Sequence, residues 1–126
     1  MAYPTYGTAG TELLYRTSIN TLATSETAFR WDRTNATLGT SSYDVADHHI
    51  VTVLVATFCN NEATARNLSM KINDGQDIYL LHEHSIGGKN TFVWSDKFCL
   101  VAGDKLQVVG TGSNIDCHIT YIDQAF

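Results

Sequence analysis

The sequence predicts an all-β protein, folded as a single β-sandwich of the jelly-roll kind behind an extended N-terminal arm. Apolar and polar residues alternate in short stretches along most of the chain, which is the pattern of half-buried strands. Turn sequences separate these stretches at intervals of roughly eight to twelve residues. Charged residues make up only 17% of the 126 residues, whereas Thr, Ser, Asn and Gly are abundant. This composition is typical of strands and turns rather than of helices covered with ion pairs.

The first twelve residues differ from the rest of the chain. They are small, polar and aromatic, and they include Tyr3, Tyr6 and the only proline, Pro4. Such a segment buries too little apolar surface to fold alone. We therefore predict that residues 1–12 form an extended N-terminal arm, which is either a frayed tail or a segment that becomes ordered against a neighbouring molecule. Residues 13–126 are predicted to form the β-sandwich domain.

Three segments open the domain. In TELLYRTSI the side chains of Leu13, Tyr15 and Thr17 share one face, which predicts the first strand. Residues 21–31 are compatible with a helix or with a strand, since Thr and Ser could cap a helix at its start. Residues Ile50–Cys59 are β-branched and nearly all apolar, which indicates a central strand covered on both faces.

A hairpin is predicted next. In RNLSMKIND the residues Leu68, Met70 and Ile72 share one face, and the NDGQ sequence after them is a hairpin turn because glycine tolerates positive φ. Paired glycines end the returning strand. On that strand five residues are predicted to share one face: Ile78, Leu80, His82, His84 and Ile86.

Further strands complete the sandwich. They are predicted in NTFVWSDKFCLV, KLQVVG and IDCHITYID, with AGDK and GTGSN as the turns between them. The alternation of the last strand predicts which of its side chains point into the core: Ile115, Cys117, Ile119 and Tyr121. Aromatic residues of small sandwiches fill the core more often than they form a sugar-stacking platform. We expect the core role for four of them: Trp31, Trp94, Phe92 and Phe98.

The histidines are the strongest candidate for chemistry. His82 and His84 lie two residues apart on one strand, as in the His-x-His pair of cupin metal sites. The carboxylate that follows in the cupin pattern is missing here, and His118 or His48 would have to supply a further ligand. Adjacent strand residues point to opposite faces, so only one of His48 and His49 could join such a site. The sequence therefore predicts no metal and no cofactor, with a cupin-like metal-dependent enzyme or ligand-binding barrel as the alternative.

Covalent catalysis is not predicted either. Asp116, Cys117 and His118 are consecutive, and strand geometry points Cys117 away from both neighbours. The chain contains no Gly-x-Ser-x-Gly elbow, and GTGSN lacks the lysine of a phosphate-binding loop. The chain contains three cysteines, Cys59, Cys99 and Cys117, and they show no CxxC spacing. This pattern indicates free and partly buried thiols rather than a disulfide scaffold. We therefore predict no catalytic residues and no enzyme activity.

Charge and hydropathy limit the partners. The formal net charge is −5, from 8 Lys and Arg against 13 Asp and Glu. Because the basic residues are not clustered, direct binding of nucleic acid is not expected. The N-terminus lacks the basic and apolar regions of a signal peptide, and the longest apolar run is too short to cross a bilayer. We expect a soluble protein made in a cytoplasm.

From about residue 43 onward, the chain resembles small β-sandwich virion structural proteins of tailed bacteriophages. The resemblance lies in IVTVLVATFCNNEATARNLSMKI, in DIYLLHEHSI and in KFCLVAGDKLQVVGTGSNIDCHITYID, which contains the pattern L-x-x-GD-x-L-x-V. TELLYRTSI fits the opening strand of such domains, whereas residues 21–42 have no counterpart in them.

The resemblance implies a structural role in the virion. The function expected is that of a capsid decoration or cement protein on the outer surface of the head shell. A neck, tail or fibre-attachment component is the alternative within this class. The implied partners are the major capsid protein or neck and tail proteins. Further copies of the chain are also expected as partners, in a trimer or a similar ring, because closed assemblies are the norm. No catalytic or binding residues are carried over from these proteins.

Overall fold

The fold consists of two antiparallel β-sheets. A computed structural model describes residues 11–22, 24–31, 43–112 and 114–125, and in these residues it contains nine strands. They are β1 (Thr11–Leu22), β2 (Thr27–Ala28), β3 (His49–Asn60), β4 (Arg66–Asn73), β5 (Asp77–Ile86), β6 (Thr91–Trp94), β7 (Phe98–Leu100), β8 (Lys105–Gly110) and β9 (Ile115–Ala125).

The strand order is that of a jelly roll. Sheet A, with five strands, has the order β1-β9-β3-β6, and the short β7 also pairs with β3. Strands β6 and β7 pair with different halves of β3, so together they occupy the place of one strand. Sheet B, with four strands, has the order β2-β8-β4-β5. The chain passes repeatedly from one sheet to the other, as in a double-sheet jelly roll. The predicted all-β sandwich is confirmed.

The core lies between the inner faces of the two sheets. On β9, the four residues predicted to point inward are each 1% exposed or less, and Tyr121 is the largest of them. Trp31 packs edge-on against Tyr121, with ring centroids 4.9 Å apart. From sheet B the core receives Leu68, Met70, Leu106 and Val108. Burial of this alternating set supplies the main favourable free energy of folding.

The first strand begins at Thr11, the first residue of the predicted TELLYRTSI strand. Thr11 and Glu12, at the boundary between the predicted arm and the domain, pair with β9. The remainder of the predicted arm, residues 1–10, lies outside the described residues, as does 32–42. Of the described residues in 21–31, Thr21 and Leu22 end β1 and Thr27–Ala28 form the two-residue β2, whereas the others lie in neither a helix nor a strand. No helix among the described residues has the length and apolar character needed to cross a membrane.

Strand β3 is central, but it is covered on one face only. Val51, Val53, Ala56 and Phe58 point into the core and are 1% exposed or less. The residues between them are half-buried on the outer face of sheet A. A bulge at Leu54 shifts the pairing with β9, which is why the buried positions change from odd to even numbers. The prediction of a strand covered on both faces was therefore too strong.

The hairpin between β4 and β5 forms as predicted. Asn73 pairs with Asp77, and Gly75 in the turn has a φ of +107°. Strand β4 is buried on both faces, because Ser69 and Lys71, which alternate with Leu68 and Met70, are each only 7% exposed. The Ser69 hydroxyl accepts a hydrogen bond from the backbone of β5, and Lys71 lies beneath acidic side chains.

The GD motif of the sequence is a structural turn. Gly103 has a φ of +89°, and the Asp104 side chain accepts a hydrogen bond of 2.9 Å from the backbone N–H of Val101. Two backbone hydrogen bonds then join this turn to Val45, which is 2% exposed. The buried carboxylate of Asp104 thus holds the approach to β8 in place.

Candidate interaction surfaces

His82 and His84 lie on opposite faces of sheet B. Strands β4 and β5 pair at Leu68–His84 and again at Met70–Leu81. Between these pairs β5 has two residues, His82 and Glu83, whereas β4 has only Ser69. This bulge includes Glu83, whose φ is +53°. The shared face predicted for His82 and His84 is therefore wrong, because a bulge breaks the period of two.

The two imidazoles contact different aromatic rings. His84 lies on the core side of β5, and its ring is 4.2 Å from that of Phe92 in sheet A. The His82 ring stacks on Tyr79 at 4.3 Å, on the outer side of sheet B. Consequently the pair does not form the two-histidine arrangement that a cupin-like metal site requires.

The other histidines lie elsewhere in the sandwich. His49 at the start of β3 is 2.7 Å from the buried carboxylate of Asp123, Nδ1 to Oδ1. His48 precedes it with a φ of +65°, and His118 lies on the outer face of sheet A. Across the described parts of the chain, no group of three His, Cys, Asp or Glu side chains is placed to hold a metal ion.

The Asp116-Cys117-His118 sequence is divided between two faces of β9, as strand geometry predicts. Cys117 is 1% exposed and its Sγ is 4.0 Å from the backbone oxygen of Ile115. Asp116 and His118 are half-buried on the opposite face. Burial raises the pKa of the Cys117 thiol to about 12, and the negative charge of Asp116 adds to the increase. At neutral pH this thiol is protonated and is no nucleophile.

The three thiols are expected to react at very different rates. All are free, with Cys99 exposed, Cys59 intermediate and Cys117 buried. We predict that iodoacetamide near pH 8 alkylates Cys99 first and Cys59 more slowly, and that Cys117 reacts only in denaturant. Peptide mass spectrometry after timed quenching measures the order. Alkylation of Cys117 in the native protein at the rate of Cys59 would contradict the assigned burial.

The outer face of sheet A carries few charges and much apolar surface. Leu14 on β1 and Val93 on β6 are 66% and 53% exposed. Half-buried residues of the neighbouring strands lie beside these exposed side chains. For example, Leu14 of β1 pairs with Ile122 of β9, which pairs in turn with Thr52 of β3. Besides Leu14 and Val93, the face includes three charged residues, Glu12, Arg16 and Asp116, and the neutral or apolar residues Ile50, Thr52, Val55, Thr57, Ser18, His118, Thr120 and Ile122. Such a face can be buried against protein with little desolvation of charge.

The outer face of sheet B is different because its charges are paired with one another. Lys71 forms ion pairs with Glu26 and, at 3.1 Å, with Asp77. Its ammonium group also lies 5.6 Å from the centre of the Tyr79 ring. The hydrogen bond to Glu26 raises the pKa of Lys71, although burial acts in the opposite direction. This face is already satisfied internally and offers less to a partner than the outer face of sheet A.

The tryptophans do not form a sugar-binding platform. Trp31 is 6% exposed and belongs to the core, as predicted. Trp94 is half-buried against the edge of Phe98, and its indole N–H donates to the backbone oxygen of Asp96 at 2.8 Å. Phe92 and Phe98 also pack against the core. The ring faces that stacking on a sugar needs are therefore largely engaged within the protein.

Comparison with known proteins gives similarity at the level of fold. No family model matches the chain, and no curated protein matches it. A pentameric capsid protein isolated from metagenomic phage sequences is 13% identical with a TM-score of 0.42, over 89% of this chain and 61% of that one. The chain thus spans about three fifths of the length of that capsid protein.

Two further solved structures show weak similarity to this chain. A protein of Bacillus endospore appendages, which form disulfide-linked pili, is 11% identical with a TM-score of 0.44, over 100% of this chain and 97% of that one. The C-terminal domain of EclA, a sugar-binding protein, is 14% identical with a TM-score of 0.33, over 94% of this chain and 81% of that one.

Proposed function

We propose that this chain is a structural protein of a phage virion, a capsid decoration or cement protein that binds the outer surface of the head shell. The observation that carries the proposal is the outer face of sheet A, where apolar and neutral polar side chains are presented together. The resemblance of the sequence to small β-sandwich virion proteins supports it as well. The role proposed is assembly rather than catalysis, with the major capsid protein and further copies of the chain as partners.

The physical basis is the burial of a nearly neutral surface. Apolar area removed from water contributes about 25 cal/mol per Å², so a modest patch gives a modest affinity in a single contact. Association also costs translational and rotational entropy, which one small patch offsets only in part. A shell that presents many equivalent sites, or a small oligomer that binds several of them, multiplies the gain. Decoration of a capsid provides that multiplicity.

Immunogold electron microscopy of purified particles tests the proposal. Antibodies raised against the purified chain should label intact heads of the phage that encodes it. Labelling at the neck, tail or fibre attachment would support the alternative position in the virion. Absence of the chain from purified particles, measured by mass spectrometry, would overturn a virion role.

Substitution on the outer face of sheet A tests which surface is used. Val93→Lys places a charge on the proposed contact, on the edge strand β6, and should reduce the copy number of the chain in particles by several-fold. Val101→Lys is the matched control, because Val101 is 53% exposed as well but lies in the turn after β7. Equal incorporation of the two variants would contradict the use of this face.

The N-terminal arm is expected to attach the chain to an adjacent subunit. Deleting residues 1–10 leaves β1 intact, since that strand begins at Thr11. We predict that the shortened protein is lost from particles, while its isolated domain still melts cooperatively. Particle composition and thermal unfolding followed by circular dichroism measure the two effects. Full incorporation of the shortened protein would contradict a role for the arm.

A further inference from the structure

Strand β1 is the one long and regular sheet edge in the described part of the chain. Its pairing with β9 is unbroken from Thr11 to Ile19, and no other described strand pairs with it. The remaining edge strands are short or irregular: β2 has two residues, β6 four and β7 three, while the pairing of β5 contains two register shifts. Proteins normally interrupt such edges with lysine, proline or bulges, because free backbone groups pair with other chains. β1 has no such protection before its irregular end.

Three side chains on the exposed face of β1 form a charge pattern. Leu14 is the most exposed of the large hydrophobic residues described, at 66%, and it lies between Glu12 and Arg16, which are also exposed. Positions four apart on a strand are separated by about 13 Å, so Glu12 and Arg16 cannot pair with each other. On β9 they face neutral residues, Gln124 and Thr120.

We propose that β1 pairs antiparallel with β1 of a second copy of this chain, with the two-fold axis at Leu14. In this register Leu14 faces Leu14 of the second copy, and each Glu12 faces an Arg16. Two ion pairs therefore flank one apolar contact, and the two copies of sheet A become continuous. A contact of this kind is isologous, since each copy contributes the same surface.

The charges select this register over its neighbours. A two-fold axis at Glu12 would bring two glutamates together, and an axis at Arg16 would bring two arginines together. Like charges directly opposite in a sheet are destabilising, whereas opposite charges and apolar pairs are favourable. An axis at Leu13 would pair Glu12 with Leu14, and an axis at Tyr15 would pair Leu14 with Arg16, so both would lose the two ion pairs. A pairing displaced by a single residue, with no residue on the axis, would turn the exposed face of one strand against the buried face of the other. The proposed register therefore combines all the favourable pairs.

The inference does not depend on the proposed virion function. It predicts a dimer, or an assembly built from dimers, in place of the trimer or similar ring expected because closed assemblies are the norm. The chain could form this dimer even if it were absent from every phage particle. Conversely, labelling of particles would not show whether the dimer forms. The two proposals therefore fail in separate experiments.

Charge reversal tests the register. We expect Glu12→Arg and Arg16→Glu each to weaken dimerisation by about tenfold or more, because each turns two attractions into two repulsions. The double variant, E12R/R16E, restores the pairs in the opposite sense and should restore the dissociation constant. Sedimentation velocity of the full chain over a concentration series at low and high salt measures these constants. Since both side chains are exposed, melting temperatures of the monomeric domains should not change.

Disulfide trapping provides a second measurement. In a Cys99→Ser background, Leu14→Cys places two thiols on the axis, where the Cα atoms are about 5 Å apart and a disulfide can form. Ser18→Cys is the control, since its two copies would be about 26 Å apart. We expect a cross-linked dimer with L14C only. A chain that is monomeric at all concentrations, a trimer that ignores the charge reversals, or equal cross-linking of both variants would overturn the inference.

Discussion

Phe58→Ala is expected to lower the free energy of unfolding by about 3–5 kcal/mol, which is a large part of the stability of a small domain. Phe58 lies on the inner face of β3, is 0% exposed, and faces Cys117 on one side and Phe92 on the other. Truncation removes the apolar contacts and leaves a cavity between the two sheets. Urea unfolding followed by tryptophan fluorescence measures the change.

Phe92→Ala is the matched control. Phe92 stacks on Phe58 with centroids 6.4 Å apart, but it is only half-buried, at the edge of the sandwich beside His84. Solvent can fill the space that its side chain leaves, so a cost of about 1–2 kcal/mol is expected. Equal costs for the two substitutions would contradict the position of Phe58 at the centre of the core.

Local alternation predicted the strands whose pairing is regular. β9 has neighbours on both sides and keeps a period of two from Ile115 to Asp123, so its inward residues could be read from the chain alone. The GD turn was also predictable, because glycine with positive φ and an aspartate that caps a backbone N–H act within four residues. In both cases the information needed is local.

Register shifts could not be predicted because they depend on the partner strand. The bulge that separates His82 from His84 is fixed where the Glu83 N–H donates to the hydroxyl of Ser69, across the sheet. Burial of Lys71 similarly depends on Glu26, which is 45 positions away in the chain. The sequence of β5 indicates neither contact. The His-x-His pair therefore resembles half of a metal site in the sequence, whereas the bulge separates the two histidines in the structure.

The candidate interface was only partly visible in the sequence. The low content of charged residues indicated a surface suited to protein contacts, but not which surface. The alternation of TELLYRTSI already places Glu12, Leu14 and Arg16 on one side of the first strand. Strand order decides that this strand is an edge, and strand order results from the packing of the whole chain, so the edge emerges only in the folded structure.

Asn60 is a buried residue that connects the two sheets, although it stands at the start of a turn sequence. The NNEA sequence that follows Cys59 is typical of a turn, yet its first residue is 0% exposed and joins the two sheets at one end of the sandwich. Asn60 is the last residue of β3 in sheet A, and its Nδ2 lies 3.1 Å from the backbone oxygen of Ile86, the last residue of β5 in sheet B. The same Nδ2 is 3.0 Å from the oxygen of Thr64, and Oδ1 accepts from the N–H of Glu62 at 3.0 Å.

The surroundings of Asn60 allow little adjustment. A Cβ atom on Gly88 would lie 2.0 Å from the backbone oxygen of Ala63, so the glycine pair after β5 permits the loop after β3 to approach closely. The Asn60 N–H also donates to the backbone oxygen of Asn90 at 2.9 Å. Backbone groups from both sheets thus contact the side chain of Asn60. Because these groups are held close together, a small movement could not adapt the site to a different residue.

Asn60→Ala should therefore cost about 2–4 kcal/mol, because it removes the amide and leaves buried carbonyl oxygens and an N–H without partners. Asn60→Asp keeps the shape but replaces the N–H donors with a carboxylate oxygen facing carbonyls, so it should be at least as destabilising. Asn67→Ala, at a half-buried position of β4, is the control and should change stability by less than about 0.5 kcal/mol. Chemical unfolding of the three variants measures the differences. If Asn60→Ala were as mild as Asn67→Ala, the amide could not be the link between the sheets that its contacts indicate.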